Sequence, residues 1–165
     1  MYLLAQMLAL AAGVAAGPQF SVAVLPLTAA DPGIPYEVLP TQSELQTMTS
    51  AVRAGLEKGG ITLVALGDAA ATKCYDEVCA QKVGRERHAR YAVFGSVARL
   101  MAVWWSTDLS VVDVGTGKLL GDLRVDYKGD VLSMEHGASY IGGCVARSLK
   151  KEEPCRNVER NTLPQ

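Results

Sequence analysis

The chain has 165 residues, of which 49% are hydrophobic and 20% are charged. This is the composition of one globular domain, and it excludes a wholly disordered chain, a collagen-like repeat and a coiled coil. Sixteen basic residues against seventeen acidic ones leave a formal net charge of −1, so the overall charge gives no support for nucleic-acid binding.

The first residues predict a secretory signal peptide. The run Tyr2–Val14 is uncharged, and small residues at positions 14–16 precede a cleavage point at Gly17. The run is too short for a membrane-spanning helix, which needs about 20 apolar residues. We therefore expect a signal peptide over residues 1–16 and a mature protein, without a stable membrane span, that is periplasmic or secreted. A buried amino-terminal helix is the alternative.

The amino-terminal half is predicted to alternate strand and helix. Phe20–Leu27 is almost continuously apolar, as is typical of a strand buried on both faces, and the proline-bearing stretch 28–42 is predicted to be a loop. Ser43–Lys58 has an apolar stripe at helical spacing, with Ser43 as its cap and Gln46 completing a capping box. Ile61–Leu66 is predicted to be the second strand.

The carboxyl-terminal half is predicted to contain a helix, three consecutive strands and a last helix. The first helix runs from Cys74 or Tyr75 to His88, and Asp113–Lys118 is a glycine-containing turn between the last two strands. Ser133 is expected to cap the last helix, and residues 156–165 are expected to form a flexible tail. The three strands and the last helix are predicted at Tyr91–Leu100, Trp105–Val114, Leu119–Tyr127 and Ser133–Lys150.

The element order β-α-β-α-β-β-β-α predicts an α/β fold. Two β-α-β units favour a parallel beginning with right-handed crossovers, and three consecutive strands favour an antiparallel meander. We expect a single mixed sheet of about five strands with helices packed on it, in one domain over residues 17–155.

The four cysteines agree with export. Cys74 and Cys79 lie five positions apart, and Cys144 and Cys155 lie eleven apart. An even number in an exported chain predicts disulfides with three possible pairings, of which we prefer the two local ones. Free buried thiols, a redox pair and metal ligands are the alternatives, although neither pair has the C-x-x-C spacing that is typical of thioredoxin-like or zinc sites.

The segment Cys74–Leu120 carries several short motifs in a fixed order. They are a C-x-x-x-x-C-A segment, a helix ending in G-R, a Y-x-V-x-G-S-V strand and a strand ending in D-V-x-T-G. This segment resembles exported bacterial domains similar to the amino-terminal domain of TolB, a group that includes penicillin-binding-protein activator lipoproteins and the curli secretion protein CsgG. The matching positions are Cys74, Cys79, Ala80, Gly84, Arg85, Tyr91, Val93, Gly95, Ser96, Val97, Asp113, Val114, Thr116 and Gly117.

The resemblance implies a compact α/β domain that binds other envelope proteins and has no active site. Two features depart from the group. His88 stands where related sequences usually have a glycine after the G-R helix, which implies either a cost of about 1 kcal/mol for a positive φ or a different helix end. The hairpin Met101–Trp105 is apolar where it is normally polar.

This apolar hairpin is the predicted partner-binding site, through Met101, Val103, Trp104 and Trp105. Adjacent residues of a strand point to opposite faces, so at most one of the two tryptophans can enter the core. The other is expected to be an exposed anchor for a protein partner. Packing against the last helix or the proline-bearing loop, and contact with a membrane, are the alternatives.

Other features of the sequence predict no catalytic, cofactor-binding or metal-binding residues. The basic run Lys82, Arg85, Arg87, His88 and Arg90 is interrupted by an acid and is better read as a solvated helix face than as an anion site. No nucleophile motif or phosphate-binding loop is present in the sequence.

We therefore expect a non-enzymatic accessory protein, periplasmic or secreted, that acts through protein–protein contacts in the cell envelope without a cofactor or nucleic acid. The partner's identity and the choice between monomer and homo-oligomer stay open. The alternatives are a periplasmic small-ligand-binding protein with a cleft between the last helix and the sheet, and a thiol-redox protein that uses Cys74 and Cys79.

Overall fold

The structure is a computed structural model that describes residues 20–30, 39–153, 155 and 159–161. The predicted signal peptide over residues 1–16 lies outside these ranges, and so does most of the predicted tail.

Seven strands in the described ranges form one mixed sheet. The strands are β1 Ser21–Val24, β2 Thr28–Ala29, β3 Thr62–Leu63, β4 Tyr91–Met101, β5 Trp104–Asp113, β6 Leu119–Lys128 and β7 Glu159–Asn161. Their order across the sheet is β3-β1-β4-β5-β6-β7, and β2 pairs with the middle of β4 at residues 96–97. β1 is parallel to β3 and β4, whereas β4, β5, β6 and β7 pair antiparallel in succession. The expected mixed α/β sheet is thus confirmed.

The helices pack on both faces of this sheet. α1 (Gln42–Lys58) and α3 (Val131–Leu149) share one core with the first face. α2 (Glu77–Glu86) and the 3₁₀ turn Gly67–Ala71 share a smaller core with the second face. Alternate residues of β4 divide between the two cores, as the pleat of a strand requires.

The two helices on the first face cross in close contact and run parallel. Gly142 of α3 lies against the backbone of Val52, and further along α1 Gly59 lies against Ala146. Residue numbers therefore rise together along both helices, and their amino-terminal ends lie at the same end of the fold.

Both helix caps on this face differ from the prediction, by two residues in α1 and by three in α3. Thr41, not Ser43, caps α1, and the Glu44 carboxylate completes the capping box in place of Gln46. Asp130, not Ser133, caps α3 by accepting a hydrogen bond from the Ser133 backbone N–H. A carboxylate accepts hydrogen bonds more strongly than the neutral alternatives, which favours the earlier start in both helices.

The first predicted strand is divided in the structure. β1 ends at Val24, and the chain pairs again with β4 only at Thr28. Pro26 lies in the gap and has no backbone N–H to donate to a sheet. The second predicted strand is likewise reduced to Thr62–Leu63.

The predicted tail contains a further strand. Residues 159–161 form β7, which pairs antiparallel with residues 122–124 of β6. Three residues of the predicted tail are therefore strand, where an otherwise unpaired edge of β6 supplies backbone partners.

Candidate docking site

The β4–β5 hairpin ends in an exposed apolar tip. Met101 pairs with Trp104, and a bulge separates this pair from the pair Arg99–Trp105. The side chains of Met101 and Val103 are 63% and 56% exposed. The tip thus places two large apolar side chains in water, as the sequence predicted.

Trp105 is a core residue and not part of the exposed tip. Only 3% of it is exposed, and it lies in the core beneath α1 and α3. The Arg99 guanidinium stacks on its ring at 4.9 Å and also lies 3.8 Å from the Glu44 carboxylate of α1. The predicted partner-binding role of Trp105 is therefore withdrawn, because the pleat turns it inward.

Trp104 points to the opposite face and is half-buried. The Lys128 ammonium lies 4.4 Å from its ring centroid, from the directly opposite position on β6. This cation–π contact holds the ring at the edge of the tip. The structure therefore leaves Trp104, with Met101 and Val103, available for a partner.

Two further apolar residues lie at the same end of the molecule. The Gly129 N–H donates to the Val103 carbonyl oxygen at 2.8 Å, and this joins the tip to the start of α3. Leu132, in the first turn of α3, is 63% exposed, and Leu39, just before the α1 cap, is 52% exposed. We call Leu39, Met101, Val103, Trp104 and Leu132 the apolar end.

Leu132 is not among the residues predicted for the site, because the last helix was predicted to be capped by Ser133 and Leu132 precedes that cap. With Asp130 as the cap, Leu132 occupies the first turn, whose side chains often remain outside the core. The pattern Asp130-x-x-Ser133 was the signal for this earlier start.

The second face of the sheet carries charged residues where no described helix packs. Asp108, Asp122 and Asp126 surround Arg124, and we call these four residues the acidic strip. The Arg124 Nε lies 3.3 Å from Asp126 and 3.9 Å from Asp108, and Asp122 accepts a hydrogen bond from Ser110. Arg124 and both of its partners keep about two fifths of their side-chain surface exposed.

The surroundings of Asp108 in the acidic strip disfavour the ionised form of its carboxyl group. Burial raises the pKa of Asp108 above its usual range, and Arg124 lowers it in part. Asp126 and Asp122 raise the pKa of Asp108 further by like-charge repulsion. One arginine therefore does not balance three neighbouring carboxylates.

The basic run lies on α2 and just after it. Lys82, Arg85, His88 and Arg90 are exposed, and the Arg85 Nε donates to the Val114 carbonyl oxygen at 3.3 Å. Within the described ranges, none of these residues forms an ion pair.

The cysteines form the two local disulfides that the sequence favours, Cys74–Cys79 and Cys144–Cys155. Cys74 is buried in the smaller core, with 1% of its surface exposed. Thiol–disulfide exchange needs access to a sulfur atom, and Cys79 is only partly buried, so the redox alternative depends on Cys79 and not on Cys74.

The expected ligand cleft between the last helix and the sheet is filled by side chains. Met134, Ile141 and Val145 of α3 are fully buried against the sheet. An open groove of about 480 Å³ lies instead between the carboxyl ends of α1 and α3. In the part of the chain that the structure covers, no three His, Cys, Asp or Glu side chains are grouped to hold a metal ion, and no helix is long and apolar enough to cross a membrane.

Comparison with known proteins identifies a family and a shared fold. The family model described as "Protein of unknown function (DUF2380)" matches residues 20–143. No curated protein matches the sequence.

Three solved structures share the fold at low identity. A PelC dodecamer from Paraburkholderia phytofirmans is 16% identical, with a TM-score of 0.53 over 82% of this chain and 90% of that one. The LpoB C-terminal domain from Escherichia coli is 15% identical, with a TM-score of 0.52 over 67% and 84%. TolB from Acinetobacter baumannii is 12% identical, with a TM-score of 0.50 over 80% of this chain and 28% of that one. The resemblance to the TolB group is confirmed at the level of the fold.

Proposed function

Since this chain belongs to the family of proteins of unknown function DUF2380, we propose from its surface that it is a non-enzymatic accessory protein of the bacterial cell envelope, which acts by docking onto another envelope protein. The fold shared with TolB and LpoB supports this role. The amino-terminal run predicts export to the periplasm or beyond. Two disulfides are typical of an oxidising compartment.

The apolar end is the observation that carries the proposal. Large apolar side chains on a protein surface cost free energy in water, because about 25 cal/mol is lost for each Å² that stays exposed. A cluster of such residues around a tryptophan is typical of a protein interface, where a few aromatic anchors supply most of the binding energy. We infer that Trp104 is the anchor and that Met101 and Val103 surround it.

Serine substitutions at the two neighbouring tryptophans test this assignment. Trp104→Ser should weaken capture of the partner at least about tenfold, as expected for an interface anchor, and should lower the unfolding free energy by only about 1 kcal/mol, because it removes the contact with Lys128 but empties no core position. Trp105→Ser should lower the unfolding free energy by about 3 to 5 kcal/mol, because it empties a core position. Capture is measured in the envelope fraction with a photo-crosslinking residue at position 103, and stability by urea unfolding.

The same crosslinker at position 120 is the matched control, because Leu120 is also exposed but lies at the other end of β6. The docking role is supported if position 103 gives a discrete product that position 120 does not give and that Trp104→Ser removes. Identical products from both positions, or capture that survives Trp104→Ser, would show that the apolar end does not bind the partner.

A further inference from the structure

We call the exposed side of α2, which carries Val78, Lys82 and Arg85, the ridge. The ridge and the acidic strip are complementary surfaces of the same chain. We propose that the exposed side of α2 in one copy of this protein packs against the acidic strip of a second copy. The contact lies beside Trp104, the anchor of the proposed docking role, but its test reverses charges at other residues and leaves Trp104 unchanged, so the two proposals can fail separately.

One side of α2 is free to make such a contact. Ala80, Val83 and Gly84 face the sheet and are buried, whereas Val78, Lys82 and Arg85 recur at i, i+4 and i+7 and are all exposed. Residues at this spacing share one side of a helix. The ridge therefore begins apolar, at Val78, and ends basic.

Tyr75, just before the helix, extends the apolar part of the ridge and is 72% exposed. Towards the other end, residues 82–90 contain four cations, Lys82, Arg85, Arg87 and Arg90, against the single acid Glu86. This part of the surface has a net positive charge although the whole chain does not.

The acidic strip has the opposite charge and unused capacity for cations. Two of its three carboxylates, Asp108 and Asp126, pair with Arg124, and the four residues together have a net charge of −2. A cation from outside would relieve the repulsion among these carboxylates. At the centre of this face Ala98 and Ser106 are small and buried, so the charged side chains around them are the groups that a second molecule meets.

The two surfaces also match in the order and spacing of their chemistry. On the sheet, half-buried Leu100 and Trp104 lie at the hairpin end, with Lys128 over the Trp104 ring, and the acidic strip follows. Asp108 lies four positions after Trp104 on β5, which corresponds to about 13 Å along the strand. Seven helix residues separate Val78 from Arg85, about 10 Å. Apolar groups can therefore meet apolar groups while cations meet carboxylates.

A second copy is the occupant that these observations favour, because each chain supplies both halves of the contact. If the two contacts are related by a twofold axis they close a dimer, and if they are not they continue into a ring or a filament. Association of this kind is driven largely by charge, so it should weaken as salt screens the surface.

Charge reversal with rescue tests the contact in the full mature chain. We expect the wild type to associate in sedimentation velocity experiments between about 1 µM and about 1 mM. Reversal of the ridge (Lys82→Glu with Arg85→Glu), or of the strip (Asp122→Lys with Asp126→Lys), should raise the dissociation constant at least about tenfold. The variant with both reversals should regain association, because opposite charges face each other again.

Two controls separate this result from general effects of charge and folding. Lys58→Glu reverses an exposed cation at the carboxyl end of α1, away from both surfaces, and should leave association unchanged. The variant Lys82→Glu with Arg85→Gln, compared with Lys82→Glu with Arg85→Glu, shows how much of the loss of association depends on a negative charge at position 85. Circular dichroism shows whether each variant is folded.

Zero-length crosslinking adds a readout that needs no substitution. In a mixture of isotopically light and heavy protein, a light–heavy peptide that joins Lys82 to Asp122 or Asp126 supports the contact. The proposal is overturned if the wild type stays monomeric over the whole range, or if folded reversal variants associate as the wild type does. Failure of the double reversal to restore association, or crosslinks that join other surfaces, would also overturn it.

Discussion

At the scale of single residues, two non-glycine residues in the described part of the chain take a backbone conformation that glycine prefers. His88 has φ of 54° and follows α2, and Lys151 has φ of 58° and follows α3. After α2, the His88 N–H donates to Arg85 and the Ala89 N–H to Gly84. This pair of bonds is the Schellman motif, whose left-handed residue is usually glycine. The departure seen in the sequence at position 88 therefore reflects a helix end of the usual kind, formed at some cost.

His88→Gly should consequently stabilise the protein. We expect the unfolding free energy to rise by about 1 kcal/mol, because glycine adopts a positive φ without the clash of a Cβ atom. Urea unfolding followed by circular dichroism measures the change. Lys82→Gly, inside the same helix, is the control and should lower the free energy by about 1 kcal/mol. A loss at both positions would mean that the side chain of His88 stabilises the fold by more than its backbone strain costs.

At the scale of elements, the crossing of α1 and α3 depends on particular glycines. A Cβ atom added to Gly55 would overlap the Ser139 carbonyl oxygen, and one added to Gly142 would overlap the backbone of Val52. The neighbouring Gly143 is different, because the nearest atom to its added Cβ lies 3.9 Å away. The helices thus approach as closely as backbone atoms allow at two glycines but not at the third.

Alanine substitutions at these glycines should have opposite effects. Gly55→Ala and Gly142→Ala should each lower the unfolding free energy by about 1 to 3 kcal/mol, because the helices must move apart. Gly143→Ala should raise it by up to about 1 kcal/mol, because alanine favours a helix interior where space allows it. Thermal unfolding of the three variants checks the contrast. Equal losses at all three positions would show that the crossing does not rest on backbone contact.

Periodicity predicted the elements well and their ends less well. The apolar stripe of α1 and the glycines after it placed that helix almost correctly, because burial of one side repeats every three to four residues. Its cap was misplaced because Thr41 and Ser43 both have a suitable hydroxyl, and the choice depends on the carboxylate of Glu44. The local pattern Thr41-x-x-Glu44 carried the signal, because a carboxylate completes a capping box more strongly than the amide of Gln46 does.

The candidate site was predicted only in part, because strand alternation is a local pattern whereas burial depends on neighbouring elements. Strand alternation predicted that Trp104 and Trp105 divide between two faces, but their neighbours on other elements decide which one is inside. Trp105 is the inner one, because its ring lies in the core under the Arg99 guanidinium, which Glu44 of α1 pairs with. The contribution of Leu132 to the apolar end likewise depends on contact between the hairpin and α3, which local patterns do not contain.

At the scale of the whole molecule, the two disulfides lie on opposite faces of the sheet. Cys74–Cys79 belongs to the core beneath α2, and Cys144–Cys155 joins α3 to the chain that follows it. Each closes a short loop, so each restricts the unfolded chain by a moderate amount. Their separation predicts that the two contributions are nearly additive.

Replacing either pair with alanine should lower the unfolding free energy by about 2 to 3 kcal/mol. The variant lacking all four cysteines should lose the sum of the two effects. Urea unfolding measures each variant, and the wild type in reductant should match the variant without cysteines. Unchanged stability in that variant would show that the disulfides do not stabilise the domain.

The position of β1 between β3 and β4 has a consequence for the order in which the chain folds. Its partners are residues 62–63 and 91–93, both of which are synthesised later. β4, β5 and β6, by contrast, pair with their neighbours along the chain and close short loops, which is fast. We therefore expect the meander to form first and β1 to join it afterwards. Until β1 joins the meander, Val22 and Val24, which are buried in the folded protein, stay in contact with water. We expect this stage to be the one at which the protein aggregates most readily.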